Sequence, residues 1–133
     1  MAEAMYRRFA PEHQLKVESR GLVVLFPEPA NAKACVVMQN NELPLNEHTS
    51  QPLTEEDLDD HTLVLTMTEK QKQTIIDTYG DQYEVYAIKE YLGMEGDVVD
   101  PYGGSLLDYE ACFSELSSLV KKVVYKIDEE EHI

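Results

Sequence analysis

Gly96-Asp97-Val98-Val99-Asp100-Pro101-Tyr102-Gly103-Gly104-Ser105 joins a strand-like run to the longest helical pattern of the chain. Its composition is unusual for a plain connector. Pro101 fixes its own φ and biases Asp100 toward an extended backbone, which aims the carboxylate. Gly103 and Gly104 permit a sharp turn into the following helix. Asp-Pro-x-Gly is, on local chemistry alone, first of all a good turn. The functional alternative is an acid held on a rigid loop beside an aromatic wall, an arrangement suited to protonating a leaving group. The surrounding chain has to decide between the two.

Downstream, Tyr109, Cys112, Phe113, Leu116, Leu119, Val120, Val123, Val124 and Ile127 form the apolar stripe of a long amphipathic helix. Upstream, Val85–Ile88 and Leu63–Met67 are short, apolar and β-prone, and the second reads as a strand buried on both faces. Thr68-Glu69-Lys70-Gln71 is a capping box that opens a helix running to about Tyr79-Gly80, and Thr54 with Asp57 resembles another. Ala30 to Asn41 and Ala2 to Ala10 carry helical spacing, with Ala34, Val37 and Met38 on one face of the first and Met5, Tyr6 and Phe9 on one side of the second. Lys16–Ser19 reads as a short strand, and Gly21–Phe26 extends it or forms another. Helices alternating with short apolar strands predict an α/β fold, a parallel sheet covered on both faces. Such folds place their sites at the carboxyl ends of strands, and the Asp100 stretch follows one.

At 133 residues the chain is expected to be one domain, 1–133, with 43% hydrophobic and 28% charged residues, as in ordinary soluble proteins. A formal net charge of −15 argues against nucleic acid and anionic membrane surfaces as partners. No apolar run approaches spanning length and the start does not have the form of a signal peptide, so the expected location is cytoplasmic. Cys35 and Cys112 fit no zinc spacing; His13, His61 and His132 have none either, so no metal or cofactor is expected. Glu55-Glu56-Asp57 suits a helical first turn, and Asp128-Glu129-Glu130-Glu131 reads as a solvated end.

The chain opens directly on a helix, whereas a doubly wound sheet normally opens on a strand whose turn binds anions. Met1-Ala2-Glu3-Ala4-Met5-Tyr6-Arg7, Val17-Glu18-Ser19-Arg20-Gly21, His48-Thr49-Ser50-Gln51-Pro52-Leu53-Thr54, Leu63 to Thr68, Lys89-Glu90-Tyr91, Asp100 to Ser105 and Tyr109 follow in an order and spacing that resemble the low-molecular-weight protein phosphatases, the tyrosine phosphatases and their bacterial arginine-phosphatase relatives. Arg20 departs from the alanine usual there. The resemblance covers essentially the whole chain. It implies a three-layer αβα fold with a short parallel sheet, and hydrolysis of phosphomonoesters on a protein substrate through a cysteinyl-phosphate. It makes Asp100 the general acid and then the base, and Tyr102 a wall of the substrate slot. Ser19 and His48 match positions that brace the phosphate loop.

The departure is severe: the chain has no Cys-x5-Arg. Asn41 and Ser118 stand where that arginine would follow Cys35 and Cys112, and both cysteines read as structural thiols. The expectation is therefore a chain truncated relative to the family at its first strand and phosphate loop, with a true start upstream of Met1. These 133 residues alone are expected to be inactive. The alternative is a phosphatase-like remnant that acts by binding. The arsenate-reductase branch would need cysteines between Met67 and Tyr91, where there are none. Tyrosine and arginine phosphate both remain open as substrates, and a monomer is expected.

Overall fold

The structure, a computed structural model, describes residues 1–10, 17–18, 20, 32–42, 51–59, 61–99, 101 and 104–131. In chain order its elements are α1 (Ala2–Phe9), α2 (Ala32–Asn40), a 3₁₀ turn (Glu55–Asp57), β1 (Leu63–Thr66), α3 (Glu69–Tyr79), β2 (Glu84–Ala87), α4 (Ile88–Tyr91) and α5 (Leu106–Glu131). They belong to two compact units, Leu53–Asp100 and the remainder of the chain. Among the described residues, no helix is long and apolar enough to cross a membrane.

In the unit Leu53–Asp100, β1 and β2 pair in parallel, with Leu63 opposite Glu84 and Thr66 opposite Ala87. A parallel pair needs a crossover, and α3 supplies it while packing on both strands. Thr68 starts α3: its hydroxyl accepts from Gln71 N at 3.1 Å, and the Gln71 side chain accepts from Thr68 N at 3.2 Å. This reciprocal box satisfies helix-end amides that would otherwise lack partners. Gly80, at φ 103°, ends the helix, its amide donating to Ile76 O at 2.8 Å. Ile75, Val85, Ala87, Ile88, Tyr91 and Val98 are buried. Leu63, Val64 and Leu65 are only half-buried, so β1 is less enclosed than its all-apolar sequence suggests.

β2 stops one residue earlier than its apolar run. The Glu90 carboxylate accepts from Ala87 N at 3.3 Å and binds Lys72 of α3 at 2.7 and 2.8 Å, which makes Ile88 the first residue of α4 instead of the last of a strand. At the front of this unit, Thr54 N donates to Asp57 Oδ2 at 3.0 Å, and the short helix this box opens is a single 3₁₀ turn.

In the other unit, α5 is the common packing surface for α1 and α2. The stripe read from the sequence is the buried face: Tyr109, Leu116, Leu119, Val120 and Val123 are enclosed, and Cys112, Phe113, Val124 and Ile127 are half-buried. Met5 and Tyr6 of α1 and Ala34, Val37 and Met38 of α2 are also buried. Lys121 sits 5.0 Å from the centre of the Phe9 ring. The acidic tail, expected as a solvated end, is helical: α5 continues through it to Glu131. Val17 and Glu18 are not in a strand; Lys16, Ser19 and Gly21–Phe26 lie outside the described residues.

Candidate active site

Of the residues the sequence assigns to chemistry, Asp100 and Tyr102 in the acid stretch and Ser19 and His48 in the bracing positions lie outside the described residues. The two ends of the acid stretch are described, and each is fixed in its own unit.

The entry is held in the unit Leu53–Asp100. Val98 is buried at 2% exposure and its amide donates to Met67 O at 2.8 Å, just past the end of β1. Asp97 Oδ1 accepts from Glu69 N, the first amide of α3, at 2.8 Å. Asp97 thus caps a helix that begins 28 residues earlier in the chain, and no local pattern in the sequence announces it. Gly96, at φ 101°, takes the left-handed backbone this approach requires.

The exit is held in the other unit. Gly104 N donates to Pro101 O at 2.7 Å, closing a turn. Ser105 N donates to Asp108 Oδ2 at 2.9 Å and Asp108 N to Ser105 Oγ at 3.3 Å, a reciprocal box at the start of α5. Ser-x-x-Asp ahead of an apolar run is a capping signal that the sequence reading passed over. A β-carbon on Gly104 would lie 2.8 Å from Pro101 O and 2.5 Å from Asp108 Oδ2, so the glycine is required for lack of space. The ammonium of Lys33, in the first turn of α2, donates to Gly104 O.

The same corner of this unit holds the amino end of α1. Met1 and Phe113 pack against Ala34, Val37 and Tyr109. Burial pushes the Met1 amine below its usual range, against the opposing fields of Glu3, Cys112 and Cys35. The start of α1, the first turns of α2 and α5, both cysteines and the exit of the acid stretch therefore share one neighbourhood. Cys35 and Cys112 are half-buried thiols on α2 and α5. His61 is exposed, while His13 and His132 lie outside the described residues. Among the described residues, no group of three or more His, Cys, Asp or Glu side chains could hold a metal ion.

A parallel βαβ crossover with helices packed on its strands defines an α/β protein. The chain belongs to the low-molecular-weight phosphotyrosine protein phosphatase family, whose model matches residues 1–132. It is 36% identical over 132 residues to a protein-arginine-phosphatase of Bacillus subtilis, an alignment covering 96% of this chain and 87% of that one. It is 35% identical over 107 residues to the low-molecular-weight protein-tyrosine-phosphatase PtpB of Staphylococcus haemolyticus, covering 80% and 76%. Among solved structures, a mutant of the arginine phosphatase YwlE with a phosphorylated active-site serine matches with a TM-score of 0.90 at 34% identity, covering 98% of this chain and 88% of that one. The low-molecular-weight protein tyrosine phosphatase from T. tengcongensis matches with a TM-score of 0.89 at 31% identity, covering 94% and 88%. The α/β fold expected from the sequence is thus the family's fold.

Proposed function

We propose that this protein is a phosphatase acting on phosphorylated protein side chains, phosphotyrosine or phosphoarginine, with Asp100 as the acid that protonates the leaving group and then as the base toward water. The carrying observation is one of position. The exit of the acid stretch and the amino end of α1 lie in one corner of the same unit, through the Lys33–Gly104 bond and the packing of Met1 on Ala34, Val37 and Tyr109. In a cysteine-based phosphatase the nucleophile loop feeds into a helix amino end, where backbone amides hold the dianion and keep the thiol ionised. In-line protonation of the leaving oxygen requires an acid near that helix start, and the exit of the acid stretch, Pro101 and Gly104, supports this reading by lying in the same unit as α1. Tyr102 would wall the substrate slot, with Ser19 and His48 bracing the phosphate loop. Residues 1–133 would act as one domain, as a monomer in the cytoplasm.

A second reading rests on a specific observation. Within these 133 residues neither cysteine is followed by arginine at the spacing a phosphate loop needs. The chain by itself would then bind phosphorylated protein without hydrolysing it.

The test uses protein made from its own gene, with the DNA upstream of the Met1 codon retained and a tag at the carboxyl end. Hydrolysis of aryl phosphate is expected, and Asp100→Asn should slow poor leaving groups by about 10²–10⁴ and good ones far less. Equal slowing of both removes Asp100 from the acid role. The 133 residues alone are expected to show no turnover, and turnover that survives alkylation of Cys35 and Cys112 would overturn the cysteinyl mechanism for them.

A further inference from the structure

We draw no further inference here: the strongest candidate, the edge of β1 away from β2 with its half-buried Leu63, Val64 and Leu65, carries nothing because nothing in the structure shows what covers it.

Discussion

Replacing Gly104 by alanine tests whether the exit of the acid stretch is as tightly built as its geometry implies. The new methyl would stand 2.8 Å from Pro101 O, 2.5 Å from Asp108 Oδ2 and 3.0 Å from Asp108 Cβ. The Asp108 carboxylate can swing aside, but it then leaves Ser105 N without its 2.9 Å bond. Loss of such a cap costs about 1 kcal/mol. Pro101 O is backbone and cannot yield without stretching the 2.7 Å bond from Gly104 N, at a cost of about another 1 kcal/mol. Gly104→Ala should therefore destabilise the protein by about 1–3 kcal/mol, a fall of about 0.5–1.5 M in the urea midpoint. Asp108→Ala removes the cap together with the closest clash, so the two losses overlap. The double variant should be less destabilised than the sum of the singles by about 1 kcal/mol. Urea unfolding followed by far-UV circular dichroism measures all three. A Gly104→Ala midpoint equal to wild type would mean that the turn yields freely, and the positional argument for Asp100 would lose its rigid base.

Three further outcomes follow from the described contacts. Asp97→Ala should cost about 1 kcal/mol by leaving Glu69 N without its 2.8 Å partner, and amide exchange at Glu69 and Val98 should rise with it; unchanged exchange at both would refute the anchoring role. Lys72→Met leaves the half-buried Glu90 carboxylate without its bidentate partner and should cost about 1 kcal/mol in a urea titration, with no loss expected if water replaces the ammonium fully. Asp59 is held below the ordinary carboxylate range, first by the Thr62 hydroxyl at 2.8 Å and then by His61 N at 2.7 Å. A depressed carboxyl contributes stability above its unfolded pKa and loses it as pH falls through the folded one, so Thr62→Val should lower stability at neutral pH, flatten the acid side of the stability–pH curve and leave the most acid end little changed, as urea midpoints across pH would read; an unchanged neutral midpoint would refute it.

How far the sequence could be read depended on whether the deciding interaction was local. Thr68 and Gln71 are three residues apart, and the box they form starts α3 where the pattern said it would. The α5 stripe was legible because its burial follows a single period along one helix. The end of β2 was not, because Glu90 reaches back to Ala87 and across to Lys72, and side chains 18 positions apart settle where the strand stops. The acidic tail shows the limit of a charge pattern. Its charge predicts exposure but says nothing of whether the helix stops, and α5 runs through it to Glu131. The parallel pairing of β1 and β2 was legible in kind from the helix between them, whereas the register Leu63 to Glu84 was not.

The candidate site divides in the same way. Local chemistry alone left Asp100 and Tyr102 in a good turn, and the resemblance of the whole chain to the family supplied their expected roles. What anchors the two ends of the stretch had no such signal. Asp97 works on an amide 28 residues upstream and Lys33 on a carbonyl 71 residues downstream, and neither has a pattern around it that distinguishes it from a surface charge. Proton transfer to a leaving oxygen depends on placement to a fraction of an ångström, and the described hydrogen bonds of the stretch lie at its two ends, Val98 N to Met67 O and Gly104 N to Pro101 O. The residues proposed to carry the chemistry and the residues that anchor the ends of their stretch are therefore different sets, with Val98 N anchored in one unit and Gly104 O in the other. Substitutions in the second set should alter rate without altering which bond is cleaved, and substitutions at Asp100 should alter which leaving groups can be expelled at all.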